Sequence, residues 1–397
     1  MILKALFWIF LFFLVYTYIG YPLILWLIVK MKRALRADKP LQHQGHEPEI
    51  CLFVTAYNET DVVSQKVENS LQLDYPPEKL QYLWVTDGSD DGTELQLRNY
   101  PHNEVHHQPE RRGKMHAMNR GMKFVKAPVV IFSDTNTLLN RNAIREIAAC
   151  FNDPSVGCVA GEKRIIENNA DVASVAGEGL YWKYESWVKK MDSEFNTAVG
   201  AVGELFAVRK ELFEEVEPDT ILDDFIISMR IAKKGYKIAY TPEAYAEETA
   251  SMNVKEELKR KIRIAAGGIQ SLLRLKDLLN PFRYGALSWQ FFSHKVMRWT
   301  LAPASFFLLL VVNGLLVLRG AENGGYHFYT YFFYLQLFFY LLAILGWFLE
   351  NQKLRLKLLF APYYFISINY AAIAGIIRHL RGQQTVQWEK SKRARIL

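Results

Sequence analysis

The sequence predicts an α/β domain with a parallel sheet, flanked by membrane segments. Short β-rich runs that end in polar turns alternate with helix-like segments from residue 49 onward, which is the pattern of βαβ units. Four apolar runs with few or no charges are each near or above the roughly 18–20 residues that cross a bilayer. These runs are residues 5–29, 301–318, 326–349 and 358–377.

Composition separates this chain from several protein classes. Of its 397 residues, 50% are hydrophobic and 14% are aromatic, which is high for a soluble enzyme. The net charge of +7 comes with basic clusters beside the apolar runs, so it fits a lipid bilayer better than a nucleic acid as partner. Three cysteines without a CxxC pattern predict neither a disulfide framework nor a zinc site.

The first apolar run predicts a retained anchor. It exceeds the ~7–15 residues of a signal peptide and lacks a small-residue cleavage site. Basic residues follow it at Lys30, Lys32, Arg33, Arg36 and Lys39. Because positive charge stays on the cytoplasmic side, we expect a multi-pass protein of the cell inner (plasma) membrane with its α/β domain in the cytoplasm.

Five segments are predicted along the chain. They are an anchor with a basic juxtamembrane segment (1–40), the cytoplasmic α/β domain (41–280), an interfacial amphipathic helix (281–300), C-terminal membrane helices (301–380) and a basic cytoplasmic tail (381–397). Three C-terminal spans would place the basic tail outside, against the charge rule. We therefore expect residues 358–377, which contain Pro362, to be interfacial or re-entrant.

Three predicted strands end in polar residues that could share one crevice. The strand ends are Tyr57-Asn58-Glu59, Asp87-Gly88-Ser89 and Asp134-Thr135-Asn136. Ligands of parallel sheets bind at the carboxyl ends of strands, so these residues are candidates for a binding site.

Each strand end also has an ordinary structural interpretation. The "DGSDDGT" turn begins like a calcium loop, but its twelfth position is Arg98 instead of Glu, so an EF-hand is unlikely and a solvated turn is the alternative. A single Asp after a strand often caps a turn. Paired with an amide at i+2, however, Asp134 could hold Mg²⁺ or Mn²⁺.

Charged residues further along the chain leave similar alternatives open. Asp223 and Asp224 begin a predicted helix, where they either stabilise the helix dipole or supply a general base for a hydroxyl. Lys114 and Arg263 lie in basic stretches that are either solvated surfaces or diphosphate-binding groups.

Taken together and in this order, these stretches resemble the membrane-bound family-2 glycosyltransferases with a GT-A fold, which include cellulose, hyaluronan and poly-N-acetylglucosamine synthases. The resemblance covers residues 49–270. It implies a Rossmann-like nucleotide-sugar-binding domain and an inverting hexosyl- or N-acetylhexosaminyltransferase. The implied donor is a nucleotide-diphospho-sugar, with a UDP-sugar expected, and the implied acceptor is a polysaccharide or a lipid-linked sugar.

The resemblance also implies roles for individual residues on the donor side. "TAYNE" implicates Ala56, Tyr57 and Glu59, and "TDGSDDGT" implicates Asp87 at the uridine. "RGKMHAMNRG" places Lys114 near the donor, with Asn119 supporting it. In "FSDTN", Asp134 would bind a divalent metal (Mg or Mn), and Asn136 stands where the family has a second acid.

On the acceptor side, "VGAVGELFAVRKELF" resembles an acceptor loop with Gly203, Glu204 and Arg209. Asp223 and Asp224 match an acidic pair whose second member is the catalytic base. Of the Gln-x-x-Arg-Trp region, only the Arg is kept, as Arg263; Arg260 and Ile264 stand at the Gln and Trp positions, so processivity stays open. The tail "WEKSKR" also resembles a segment near the active site of some relatives.

A second functional class is a non-catalytic nucleotide-sugar-binding component of a polysaccharide assembly or export complex. A retained base and Arg263 argue against it, because a scaffold needs neither. A nucleotidyltransferase is a weaker alternative, since it explains neither the membrane segments nor the Asp pair.

Overall fold

The computed structural model describes residues 1–35, 47–166, 172–249, 254–323, 327–351 and 357–384. Its strands are β1 Ile50–Ala56, β2 Leu80–Asp87, β3 Asn103–Gln108, β4 Val129–Asp134, β5 Leu138–Leu139, β6 Val156–Ile166, β7 Leu205–Arg209 and β8 Lys237–Thr249. Its α-helices are α1 Ile2–Val15, α2 Tyr21–Leu35, α3 Val63–Leu71, α4 Thr93–Arg98, α5 Lys114–Gly121, α6 Ala143–Cys150, α7 Val172–Phe195, α8 Asp223–Lys233, α9 Val254–Arg274, α10 Pro281–Tyr284, α11 Ala286–Gln290, α12 Ala302–Asn323, α13 His327–Asn351 and α14 Lys357–Leu380.

In the described part of the chain, the strands form one mixed sheet in the order β3-β2-β1-β4-β7-β6-β8-β5. β1 pairs in parallel with β2 and β4, as predicted, and β2 pairs in parallel with β3, a strand that the sequence did not predict. The predicted parallel pairing holds for the first strands, whereas β7 runs antiparallel to β4 and β6 and β5 runs antiparallel to β8, so the whole sheet is mixed. This reversal has a useful result: Leu205, the first residue of β7, pairs with Ser133 near the carboxyl end of β4.

Helices cover both faces of the sheet, so the domain is a three-layer α/β fold. One face packs Phe53 and Phe132 against α5 and α8, and the other packs Trp84 and Ile131 against α3 and α6. Gly121 ends α5 against the Phe53 ring, where an added side-chain carbon would clash. Close packing of this kind holds the start of each helix in place at the sheet edge.

Four helices in the described residues are long and apolar enough to cross a membrane: Ile2–Leu35, Ala286–Gly320, His327–Leu349 and Leu359–Leu380. The predicted amphipathic helix 281–300 is not a separate element. Only the short α10 stands apart, and the chain from Ala286 continues as one helical rod through a π-helical stretch at Phe291–Leu301.

The basic side chains of that rod are buried against α7 instead of lying at a headgroup surface. His294, Lys295 and Arg298 are 1%, 7% and 7% exposed. We call them, with Glu185 and Asp192 of α7, the junction cluster. Burial of these charges is possible because the two acids neutralise them.

Both acids of the junction cluster contact its basic side chains. Glu185 accepts hydrogen bonds from Lys295 Nζ at 3.1 Å and from Arg298, and it lies 3.1 Å from His294 Nε2. Asp192 Oδ2 lies 2.6 Å from His294 Nδ1. Since α7 belongs to the sheet domain, the cluster attaches that domain to the apolar rod.

Removing one acid of the junction cluster should destabilise the folded protein. We expect Glu185→Gln to lower the free energy of unfolding by about 3–5 kcal/mol, because Arg298 keeps a buried charge without its carboxylate. Thermal unfolding in detergent measures the change. Glu194→Gln on the same helix is the matched control. Glu194 pairs with Arg33, and their side chains are 30% and 51% exposed, respectively. Loss of this exposed pair should change the free energy of unfolding by less than about 1 kcal/mol. Equal effects of the two variants would contradict the expectation.

Aromatic rings connect the start of α8 to the same rod. The Phe225 ring lies 5.2 Å from the Trp299 ring and 6.5 Å from the Phe291 ring, measured between centroids. Gly268 of α9 lies against Trp299, where an added carbon would come within 2.7 Å of the indole. The first turn of α8 is therefore packed directly on the apolar rod.

The last helix, α14, lies along α9. Lys261 Nζ on α9 is 5.2 Å from the centroid of the Tyr364 ring, and an added carbon on Gly375 would come within 2.5 Å of Ala265 Cβ. The helix is continuous, with Pro362 inside it. Its interfacial placement stays a prediction. Arg36, Lys39 and the tail segment 388–393 lie outside the described residues.

Candidate active site

The structure brings the three polar strand ends to one edge of the sheet. β1 lies between β2 and β4, and its register sets Ala56 beside Thr86 and Thr55 beside Asp134. Because β7 is reversed, the loop that holds Gly203 and Glu204 reaches the same edge. The crevice is thus formed by both halves of the mixed sheet.

Asp87 organises the loop that leads into α5. Its carboxylate accepts the backbone N–H of Arg112 at 3.0 Å and that of Gly113 at 2.6 Å. Gly113 has a φ of 98°, which favours glycine, and α5 starts at the next residue. Sequence reasoning missed this positioning role and expected only a uridine contact, which stays a prediction.

The end of β1 combines an aromatic ring with buried polar groups. The guanidinium of Arg111 lies 3.9 Å from the centroid of the Tyr57 ring, a cation–π contact. Glu59 is 2% exposed, and its backbone N–H donates to Thr93 Oγ1 at 2.8 Å. Ala56 is 3% exposed at the strand end. Donor contacts from these three predicted residues, Ala56, Tyr57 and Glu59, stay predictions.

Lys114 links the two sides of the crevice. Its Nζ donates to Asp134 Oδ1 at 3.0 Å and lies 3.0 Å from Asp223 Oδ2. Burial alone would lower the pKa of the ammonium, but the two carboxylates outweigh it and raise the pKa above its ordinary value. Lys114 is therefore a fixed positive charge between β4 and α8.

Asp224 carries the clearest signature of an acid–base group. Burial, the neighbouring Asp223 and Glu204 raise the pKa of its carboxyl to about 7, against the lowering effect of Lys114. Asp224 is neither fully buried nor fully exposed. An added carbon on Gly203 would lie 3.5 Å from the Asp224 carboxyl, so the bare glycine backbone leaves room in front of it.

A second group of charges, which sequence reasoning missed, supports Asn136 and Glu204. Lys163 of β6, with a side chain 1% exposed, donates to Glu204 Oε1 at 2.5 Å and also to Glu248 of β8. Asn136 Nδ2 donates to Glu248 Oε1 at 3.3 Å. Burial favours a protonated Glu204, yet Lys163 and then Arg260 hold its pKa well below the ordinary value. Strands β6 and β8 carried no motif that could have revealed these residues.

Two residues that the resemblance singled out have other contacts. Asn119 exchanges hydrogen bonds with the backbone of Val216 at 2.7 and 3.2 Å, so it holds the segment before α8 instead of supporting Lys114. Arg209 pairs with Val129 at the start of β4 and donates to the carbonyl of Val156 at 2.8 Å. It lies at the opposite edge of the sheet and does not join the crevice.

Arg263 lies on α9, three residues beyond Arg260. Residues at this spacing share a helix face, and Arg260 Nη1 is 3.7 Å from Glu248 Oε2. Arg263 therefore lies on the same side of α9 as Arg260. A contact with the donor diphosphate stays a prediction.

Comparison with known proteins identifies the fold and the enzyme class. The family model for glycosyltransferase like family 2 matches residues 48–267. The chain belongs to this family. Its GT-A fold and its assignment as a glycosyltransferase follow from that match together with the sheet and crevice described above.

The curated relatives of this family-2 glycosyltransferase include polysaccharide synthases. The chain is 29% identical over 236 residues to the poly-beta-1,6-N-acetyl-D-glucosamine synthase of Staphylococcus aureus strain MSSA476, covering 57% of this chain and 56% of the relative. It is 26% identical over 248 residues to that of Staphylococcus epidermidis, covering 59% and 57%. The matched region thus spans little more than half the length of these relatives.

A solved structure resembles nearly the whole chain. It is the mannosyltransferase PcManGT from Pyrobaculum calidifontis in complex with GDP-Man and Mn2+, with a TM-score of 0.65 and 20% identity, covering 96% of this chain and 99% of that chain. At this identity the likeness establishes the fold.

The crevice of this family-2 glycosyltransferase offers a limited set of metal ligands. The described residues contain no group of three or more His, Cys, Asp or Glu arranged to hold a metal ion. Asp134, with a side chain 25% exposed, and the amide oxygen of Asn136 are the available oxygen donors. Mg²⁺ and Mn²⁺ sites completed by phosphate oxygens need no more than this, so the residues fit a cation that binds together with a diphosphate.

Proposed function

We propose that this family-2 glycosyltransferase moves a sugar from a UDP-sugar to a polysaccharide or lipid-linked acceptor, with inversion, at the cytoplasmic face of the membrane. The observation that carries the proposal is Asp224. It is a partly accessible carboxyl with a pKa of about 7, beside the open backbone of Gly203 and across the crevice from Lys114. A scaffold has no need of such a group.

The reaction follows from this placement. Asp224 accepts the proton of the acceptor hydroxyl as the hydroxyl oxygen attacks the anomeric carbon of the donor sugar. The bond from that carbon to the diphosphate oxygen breaks on the opposite side, and the nucleoside diphosphate leaves with the electron pair. A single in-line displacement inverts the centre without a covalent enzyme intermediate.

The reaction also requires groups that stabilise the negative charge on the leaving diphosphate. Lys114 is the cation at the centre of the crevice, and Arg263 is a further candidate because its planar guanidinium suits phosphate geometry. A divalent cation held by Asp134 and Asn136 would neutralise part of the same charge when bound. Preorganised groups of this kind each contribute on the order of 3–4 kcal/mol to a transition state.

A UDP-sugar is the expected donor because the curated relatives are N-acetylglucosamine polymer synthases. The decisive screen measures nucleotide release from UDP-glucose, UDP-galactose, their N-acetyl forms and UDP-glucuronate, with GDP-mannose as the contrasting donor and with or without Mn²⁺. Release of UDP from one UDP-sugar supports the proposal. Release from GDP-mannose alone would contradict the donor assignment, and release from none would overturn the enzymatic proposal.

The same screen tests the metal site through Asn136. We expect Asn136→Ala to raise the Mn²⁺ concentration for half-maximal activity by about tenfold, since loss of a ligand or its support weakens metal binding by roughly 10–100-fold. Asn140→Ala is the control, because Asn140 lies on the same segment, donates to the carbonyl of Glu243 and accepts the backbone N–H of Tyr245. An unchanged Mn²⁺ dependence would remove Asn136 from the site.

Placement at the membrane is part of the proposal. The four apolar helices support membrane association, and Lys32 on the basic end of α2 donates to the carbonyls of Glu194 and Phe195 at the end of α7, at 2.7 and 2.8 Å. The basic end of the anchor thus lies on the sheet domain. The length of the product separates the acceptors: a polymer indicates elongation, and a single added sugar indicates a lipid-linked acceptor.

A further inference from the structure

Lys66 is a buried lysine that neither the motifs nor the mechanism uses. It lies on α3 with 0% of its surface exposed. The buried residues of α3 are Val63, Lys66, Val67 and Ser70, at the spacing of an apolar helix face. A lysine at such a position is expensive to bury, so a specific set of contacts must hold it there.

Among the described residues, the Lys66 ammonium is hydrogen-bonded to the end of β4 and to the turn that follows it. Its Nζ donates to Ser133 Oγ at 2.7 Å and to the carbonyl of Thr137 at 2.7 Å, with Thr137 Oγ1 at 3.5 Å. These partners are neutral. They stand immediately before Asp134 and immediately after Asn136, so one ammonium group bridges the two ends of the segment that carries both residues.

Further hydrogen bonds hold the turn in place. Thr135 Oγ1 donates to the carbonyl of Thr55 at 2.7 Å, and Thr137 Oγ1 donates to the carbonyl of Asp134 at 2.9 Å. Among these donors, only Lys66 has an ionisable side chain. When protonated, it favours an anion bound close to the turn.

We propose that Lys66 is a positioning residue of the donor site: it fixes the turn from Ser133 to Thr137 so that Asp134 and Asn136 face the donor diphosphate, and its charge favours that diphosphate. This deepens the proposed function and rests on it for the identity of the ligand. The tether itself is a property of the fold and can be tested without a donor.

Burial lowers the pKa of Lys66 to about 7, partly offset by Asp134, which is in keeping with an ammonium that lacks a carboxylate partner. Replacement by Met keeps the volume and removes both the charge and the hydrogen bonds. Replacement by Gln removes the charge but retains an N–H donor. Ser70→Ala is the matched control, because Ser70 is about as buried on α3 and the variant loses the hydrogen bond that the Ser70 hydroxyl donates to the carbonyl of Lys66 within the same helix.

The experiment compares wild type with the three variants by hydrogen exchange of the peptide that contains residues 133–139, by UDP affinity and by thermal unfolding. For Lys66→Met we expect faster exchange in that peptide and a UDP affinity weaker by about 10- to 100-fold, without a lower unfolding temperature. Lys66→Gln should lie between Met and wild type, and Ser70→Ala should match wild type.

Wild-type exchange and UDP affinity in Lys66→Met would overturn the proposal. So would an equal loss in Ser70→Ala, since that indicates a general effect of repacking α3. If the Met variant does not fold, the Gln variant decides by the same two readouts. If wild-type protein binds no UDP, the proposed donor is wrong, while the exchange data still decide whether Lys66 holds the turn.

Discussion

Replacing Asp224 with Asn is expected to lower kcat for sugar transfer by about 10²- to 10⁴-fold, because a positioned general base contributes that much. UDP affinity should stay close to that of wild type, since the Asp224 carboxyl lies beside Gly203 on the acceptor side. Single-turnover transfer and UDP titration measure the two quantities. Asp153→Asn, a change at a half-exposed acid of the β6 turn, is the control and should leave both unchanged.

The role of Asp224 as a base also predicts the direction in which the transfer rate changes with pH. A base acts when deprotonated, so with a pKa of about 7 for Asp224 the wild-type rate should fall as the pH drops below 7. The residual rate of Asp224→Asn should lack this inflection. Transfer at the wild-type rate by Asp224→Asn, with the inflection retained, would show that another group accepts the proton.

The Asp224 carboxyl should make the folded state less stable as the pH rises, whereas the rate of transfer should increase. A carboxyl whose pKa is raised by folding stabilises the folded state at low pH, and that contribution is lost as the pH rises toward 7. At pH 8, Asp224 is therefore a destabilising charge beside Asp223 and Glu204. We expect Asp224→Asn to unfold at a higher temperature than wild type at pH 8, and at a similar temperature at pH 4.

The second large effect is expected for Lys114→Met. Loss of the central cation should reduce kcat/KM by about 10²- to 10³-fold, as for removal of a preorganised group that stabilises leaving-group charge. UDP affinity should fall as well, in contrast to Asp224→Asn. Steady-state kinetics and UDP titration measure the loss. Lys126→Met is the control and should change neither quantity, because the Lys126 side chain is 78% exposed and pairs only at the surface with Glu104.

A shift of the pH profile distinguishes this role from a structural one. Lys114 lowers the pKa of Asp224, so its removal should move the midpoint of the rate profile to higher pH. It also leaves Asp134 and Asp223 without their shared ammonium, which should reduce stability. A variant with reduced stability but an unshifted midpoint would mean that Lys114 only supports the fold.

The sequence was a good guide where a motif coincided with a strand end. Alternation of strands and helices predicted β1, β2 and β4 but not β3, and the order β2-β1-β4 put Asp87, Tyr57 and Asp134 at one edge. The direction of a strand within the sheet was harder to predict. Nothing local distinguishes β7 from a parallel strand, yet its reversal is what brings Gly203 to the crevice and carries Arg209 away from it.

Buried charges were the second limit on prediction. Basic residues in an apolar context suggested a headgroup surface, because the acids that neutralise them are distant in sequence: Glu185 is 113 residues from Arg298. Lys163 and Glu248 are likewise 85 residues apart. Lys66 left one visible sign, a lysine on the apolar face of a helix, which is a pattern that hydrophobic periodicity can flag in other sequences.

If the rod crosses the bilayer as proposed, the ring contacts of Phe225 couple the proposed base to the surrounding lipid. Phe225 follows the proposed base directly in the chain, and the Trp299 ring, 5.2 Å from it, belongs to a rod long enough to span a membrane. A change in lipid thickness tilts such a rod to match its apolar length. In that setting, a tilt of the rod would be transmitted through the Trp299 and Phe225 rings to Asp224, so we expect the rate of transfer to depend on the acyl-chain length of the lipid.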